Sequence, residues 1–235
     1  PGFVLALYSA ADTRRRDRAA VQEDAYRLAR LTAFAHERTL DGARQLLRTL
    51  ARNPAVIEAD DDRCSAELRA VVAESQQLLE LGRASADGDV RCTSASDRAQ
   101  AENVRNAAWF ARSIAGDGFA IQYSDVTPAG RGRLVVATGV TARGTRTVLF
   151  ATLDPAALNS LAAVVPLPDG TSVTLLDGTG VVVARHPDHD TWVGRNVRDV
   201  AIVGTAMTEH NGSAEAPGLD VTPRLFGFQR LAGES

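Results

Sequence analysis

From Ala11 to about Asn53 the chain has no proline and one glycine, Gly42, while apolar or small residues recur at Val21, Ala25, Leu28, Thr32, Ala35, Thr39, Ala43, Leu46 and Leu50. Steps of three and four keep these positions on one side of an α-helix, so the pattern predicts a single helix of about 40 residues with a continuous seam. At 1.5 Å per residue it would be about 60 Å long, more than one ordinary domain requires. It is therefore expected to run beside more than one module or to pair with a second copy of itself. Asn53-Pro54 ends it, because a residue before proline is disfavoured in the helical region.

A short acidic stretch, Asp60-Asp61-Asp62, precedes a second predicted helix over 65–77. A unit then occurs twice. Its first copy reads as a hairpin (78–84 and 90–93, turning at Asp87-Gly88), a helix over 99–115 and strands over 119–125, 133–141 and 146–153. Its second copy reads as a hairpin (171–176 and 181–185, turning at 177–180), a helix over 197–208 and strands over 213–216 and 224–231, one strand fewer. Between the copies, Asp154-Pro155 has the residues of a helix start, an N-cap followed by proline. The pattern predicts an α+β fold of a long helix and two tandem modules, each with an antiparallel sheet and flanking helices. The expected division is 1–57 for the chain start and long helix, 58–153 for the first module, and 154–235 for the linking helix and second module.

Length agrees with two modules, since 235 residues, 45% of them hydrophobic, can build two cores without staples. All 26 basic residues are arginine, which removes mechanisms needing an ε-amine, among them a Walker A loop and a Schiff-base lysine. With a net charge of −3 and arginines scattered among acids, no basic stripe marks a nucleic-acid partner. The chain starts at Pro1, its one Met is Met207, and the apolar opening Gly2 to Tyr8 gives way to Arg14-Arg15-Arg16. A trimmed membrane helix is the expectation, against an ordinary apolar first turn. Cys64 and Cys92 lie in no CxxC and have no histidine-rich surroundings, so they are two unrelated thiols in a reducing compartment and free to pair in an oxidising one.

The chain resembles the double Cache sensor domain, a tandem PAS-like module found between the two membrane helices of bacterial receptors. The resemblance spans nearly the whole length. It is carried by Leu175-Leu176-Asp177-Gly178-Thr179-Gly180-Val181-Val182-Val183-Ala184-Arg185-His186-Pro187 and Trp192-Val193-Gly194-Arg195 in the second module, and by Asp87-Gly88-Asp89-Val90-Arg91-Cys92-Thr93-Ser94 in the first. It implies an extracytoplasmic location, hence a Cys64–Cys92 disulfide, and makes 58–153 the membrane-distal and 154–235 the membrane-proximal module. By the same resemblance a ligand pocket lies in the distal module between helix and sheet. That points to Trp109, Phe110 and Arg112 on the helix and Tyr123 and Asp125 on the next strand. Aromatic rings supply contact area with few rotors, and a carboxylate can fix an amine or hydroxyl. Trp109 and Phe110 read equally well as plain core. Tyr123 and Asp125 share a strand face, so both point inward or both outward. Amino-acid-binding members carry an arginine two residues before the tryptophan. Ala107 stands there in this chain, and Arg105, about 200° round the predicted helix, does not replace it.

The segment His186-Pro187-Asp188-His189-Asp190 gathers imidazoles and carboxylates, but Pro187 forces an extended turn and no metal is expected. His36, flanked by charges, reads as a surface residue, and His210 as a helix end. Catalytic signatures such as Gly-x-Ser-x-Gly and His-Glu-x-x-His are missing from the sequence. The expectation is an extracytoplasmic small-molecule sensor without cofactor or catalysis of its own. It would be joined to the membrane by flanking helices, would dimerise through the long helix and would signal to a cytoplasmic histidine kinase, a diguanylate cyclase or a chemoreceptor. A secreted hydrolase or binding protein, and a ligand-free dimerisation module, are the alternatives.

Overall fold

The first helix, α1, spans Gly2–Leu50. The computed structural model describes residues 2–96, 103–116, 118–124, 132–142, 144–154, 170–219 and 223–231, with side chains from Arg18 on. Along α1 the buried residues are Thr32, Ala33, His36, Leu40, Ala43, Arg44, Leu47 and Leu50, none more than 7% exposed. The expected seam is kept at Thr32, Ala43 and Leu50, whereas Ala35, Thr39 and Leu46 yield to His36, Leu40 and Leu47. Side chains lean toward the helix N-terminus, so a given spot is covered by a residue about one position further on.

His36 is thus a correction: it is 2% exposed, with no hydrogen-bond partner at Nδ1. Burial lowers its pKa from 6.5 by desolvating the imidazolium. The unfolded chain therefore binds the extra proton first as pH falls, and the stability His36 supports is complete above pH 6.5 and declines below it. Urea midpoints measured at pH 7.5 and about 5 are expected to differ, with the difference reduced in His36→Leu. An unchanged difference would assign the acid limb to other groups.

Asn53 closes α1 and opens α2 (Pro54–Ile57) by accepting from the Ala55 amide at 2.9 Å through its side chain. Asp60 does the same for α3 (Asp61–Ala73), accepting from the Arg63 amide at 2.9 Å. The second helix therefore begins one turn earlier than predicted. Its acids, Asp60, Asp61 and Asp62, stand at the positive end of the helix, where carboxylates are favoured.

Five strands follow: β1 (Leu78–Ser85), β2 (Val90–Thr93), β3 (Phe119–Ser124), β4 (Arg133–Ala142) and β5 (Thr145–Leu153). They form one antiparallel sheet in the order β2-β1-β5-β4-β3. Helix α4 (Ala108–Ala115) lies across one face, packing Trp109 and Phe110 on Ala84, Ala120, Val135, Ala137, Val148 and Phe150. It is half the predicted length. Asn103 is instead tied to the β1–β2 turn, donating to Asp89 at 2.6 Å and to the Asp87 carbonyl at 3.2 Å. Contact between α4 and the sheet is close enough that any side chain at Gly139 would run into the Ser113 carbonyl.

The opposite face belongs to the N-terminal helices. The Arg48 guanidinium of α1 lies 5.0 Å over the Phe119 ring, and Cys64 of α3 is disulfide-bonded to Cys92 of β2 with their Cα atoms 5.9 Å apart. Arg83 reaches up from this face to the Val56 and Ile57 carbonyls, both at 2.8 Å, and to Asp61 at 3.1 Å.

Beyond Gly170 come the hairpin β6 (Val173–Leu176) and β7 (Val182–His186), the short α5 (His189–Trp192), α6 (Ala201–Glu209), and a second hairpin of β8 (Asn211–Pro217) and β9 (Pro223–Gln229). The linking helix expected after Asp154 lies outside the described residues. By contacts the chain divides into two units. One joins α1 as far as Ala35 to Val197 onward; the other runs over His36–Asn196. Within the first, β9 lies directly on α1, because a side chain at Gly227 would strike the backbone of Ala25 and Tyr26. The second holds the five-stranded sheet and the β6–β7 hairpin.

Candidate functional site

Strand register sorts the sheet residues into two faces. On the α4 side, Ala120, Ala137, Phe150 and Gly82 form one rung. It is roofed by Trp109, whose ring centroid lies 5.3 Å from Phe150 and 6.1 Å from Phe110. The neighbouring rung on the same face reads Gln122, Val135, Thr152, Glu80. Two of its polar atoms, Gln122 Oε1 and Thr152 Oγ1, are buried and have no hydrogen-bond partner, although Thr152 is only 2% exposed. Glu80 at the end of the rung is committed, accepting from Arg133 at 3.1 Å and from Thr93 Oγ1 at 2.6 Å. With adjacent strands about 4.8 Å apart, Gln122 and Thr152 stand about 10 Å apart on either side of Val135.

The structure brings together Trp109 and Phe110, at 6% and 2% exposure, inside the apolar cluster. It does not bring Tyr123 to them. Tyr123 pairs with Leu134 on the face opposite Ala120 and Gln122, and its hydroxyl lies where a side chain at Gly132 would be and close beside Gly194. Alternation along β3 explains this: the α4 side receives Gln122, the residue before Tyr123. Asp125 lies outside the described residues. Arg112 donates to the Ile121 carbonyl at 3.0 Å, on the open edge of β3. Arg105 is exposed and precedes α4 altogether, so the helical angle predicted for it does not apply.

The same open edge carries a carboxylate with four hydrogen bonds. Asp177, 4% exposed in the β6–β7 turn, accepts at Oδ1 from the Thr179 amide (2.9 Å), the Thr179 hydroxyl (2.7 Å) and the Val181 amide (3.0 Å). Its Oδ2 accepts from the Tyr123 amide at 3.2 Å. One side chain therefore shapes the hairpin turn and fastens it to the edge of the sheet. The turn residues Asp177-Gly178-Thr179 signal the first role. Nothing local signals the second, since its partner is 54 residues away.

On the N-terminal side of the sheet a cleft of about 350 Å³ is lined by Glu58, Arg83, Ser85, Arg91 and Thr147 among others. Arg83 and Arg91 both pair with Asp61 there. In the His186–Asp190 segment, Asp188 adopts a left-handed conformation, φ 69°. No group of three metal-ligating side chains occurs among the described residues, and no helix among them is long and apolar enough to cross a membrane.

A five-stranded antiparallel sheet in this order, with a long leading helix on one face and a short helix on the other, is the double Cache, PAS-like fold of extracytoplasmic sensor domains. Solved structures of such domains superpose along most of the chain. The extracellular domain of the proposed histidine kinase rpHK1S-Z16 matches with a TM-score of 0.77 at 18% identity, covering 91% of this chain and 90% of its own. The ligand-binding domain of the Pseudomonas aeruginosa amino-acid chemoreceptor PctC, in complex with GABA, matches at 0.68 and 16% identity, covering 91% and 94%. That of PctB from the same organism, with L-Gln, matches at 0.68 and 18%, covering 91% and 86%. No curated protein sequence matches the chain significantly. Residues 21–206 match the family described as "CSS motif domain associated with EAL", and the chain belongs to that family.

Proposed function

We propose that this chain is the ligand-sensing domain of a membrane receptor, facing away from the cytoplasm, and that its small-molecule site lies on the α4 side of the five-stranded sheet. One observation carries the site: Gln122 Oε1 and Thr152 Oγ1 are buried without partners on one rung, directly beside the Trp109–Phe150 wall. Buried polar atoms are satisfied in the great majority of native proteins, and two orphans on one face call for a partner the chain does not itself supply. In this reading 58–153 is the sensing module, 154–235 the membrane-near module and 1–57 the helix that carries the signal. The ligand shifts the population between two arrangements of sheet and helix, and thus the output. The family description supports an EAL-type output ahead of a histidine kinase, a diguanylate cyclase or a chemoreceptor. Leu31 and Phe34, 57% and 61% exposed on α1, suit a second copy of the chain.

A thermal-shift screen of small metabolites tests the site. Binding is expected to raise Tm by a few degrees, as for any ligand that binds only the folded state, and to do so no longer in Thr152→Val. A ligand whose shift survives that substitution places the site elsewhere.

A further inference from the structure

The α4 side of the sheet also limits what chemistry can dock there. Among the described residues the three arginines that lie along this face, Arg112, Arg133 and Arg146, are already engaged. Arg133 pairs with Glu80 at 3.1 Å. Arg146 donates through Nε to the Ile114 carbonyl at 2.6 Å and through its other nitrogens to Ser113, Gly116 and Thr141, so it closes the C-terminal end of α4. Arg112 is bonded to the Ile121 carbonyl, and the residue that leads into α4, Ala107, has no polar side chain. The one carboxylate on the rung, Glu80, is matched by Arg133 and Thr93. What remains open is neutral: an amide oxygen and a hydroxyl, about 10 Å apart across Val135.

Resting on the α4-side ligand site proposed above, we infer that the part of the ligand seated on the Gln122–Thr152 rung is uncharged and bears both a hydrogen-bond donor and an acceptor, as a carboxamide does. A carboxylate or ammonium placed there would lose its hydration and gain no opposite charge, which costs far more than burying an amide. The hydroxyl of Thr152 can donate or accept, and a rotated Gln122 amide presents either end, so both partners of a carboxamide are available. The remainder of the ligand, beyond the rung, is free to carry charge.

Pairs of ligands identical but for this group test the inference: nicotinamide against nicotinate, acetamide against acetate, and L-asparagine against L-aspartate, each added to the native chain and to Thr152→Val and Gln122→Leu. The amide member of at least one pair is expected to raise Tm by about 2 °C or more, its acid by less than half as much, and both variants to abolish the difference. Without ligand, Thr152→Val is expected to melt at or above the native temperature, because it replaces an unpaired buried hydroxyl by a methyl group of the same shape. Acids that bind as well as their amides would overturn the inference and leave the sensing site standing. An amide effect that persists in both variants would overturn it as well, as would a Thr152→Val chain that melts several degrees lower, since the hydroxyl would then be bonded within the fold. If no amide binds while other metabolites shift the native chain and not Thr152→Val, the class falls and the site remains. If nothing binds at all, both fall.

Discussion

Replacing Asp177 by alanine is expected to destabilise the unit 36–196 by about 3 kcal/mol, because the substitution leaves one buried and two part-buried amides without their acceptor, at about 1–3 kcal/mol for the buried one and less for the two that water can reach. Those amides belong to Thr179 and Val181 in the turn and to Tyr123 on the edge of the sheet. Asp177→Asn is expected to lose less, since one amide oxygen can still hold the turn while the other position, now an NH2, faces the Tyr123 amide and cannot accept from it. The two variants therefore separate the roles. Urea unfolding followed by circular dichroism reads the total, and hydrogen exchange at the Tyr123 amide reads the edge bond alone. Faster exchange at Tyr123 is expected in both variants, with the turn amides protected only in Asp177→Asn. If Asp177→Ala costs less than about 1 kcal/mol, the carboxylate does not hold the hairpin to the sheet.

Loss of the Cys64–Cys92 bridge is expected to have the other large effect. The bond spans a sequence separation of 28, and the chain-entropy model gives a stabilisation of about 3–4 kcal/mol for such a loop. For a chain of this size that corresponds to about 10 °C in Tm, measured on the Cys64→Ala/Cys92→Ala double variant so that no lone thiol remains. Both cysteines are 0% exposed, so a mild reductant should free few thiols from the native chain and release them readily only in urea. The local consequence is as specific as the global one. Asp61 sits in the first turn of α3, three residues before Cys64, and receives Arg83 and Arg91 at 3.1 and 3.5 Å. Release of α3 from β2 should therefore weaken this pairing and expose the carbonyls of Val56 and Ile57 that Arg83 caps. A double variant that melts within about 3 °C of the native chain would mean that packing alone holds α3 in place.

Much of this architecture follows from local pattern. The end of the long helix, the hairpin turns and the five strands of the first sheet each lie within a few residues of where periodicity and turn residues put them, because seam spacing and alternation are properties of the chain itself, whereas the helix begins at Gly2, nine residues before the predicted start. Departures occur where a distant partner outbids a local preference. Residues 103–107 continue the helical pattern of α4, yet Asn103 is drawn to the β1–β2 turn and the helix waits until Ala108. His36 lies among charged neighbours in the sequence, yet the turn of α1 that carries it is buried along its whole inner side.

The site divides in the same way. Strand alternation already required Tyr123 and Gln122 to point in opposite directions, and the resemblance marked Trp109 and Phe110. Which direction faced α4 was open until the sheet was assembled, because a strand has two equivalent faces until one of them is covered. The sequence by itself determined the order of elements, the pairing partners of the two cysteines once their compartment is oxidising, and the absence of lysine chemistry. Only the tertiary structure decided that Gln122, Thr152 and Glu80 share a rung, that Tyr123 does not share the face of Trp109, and that Asp177 fastens a hairpin to a strand 54 residues earlier. Register and coverage of a sheet are set by contacts between residues far apart in the chain, and no local pattern records them.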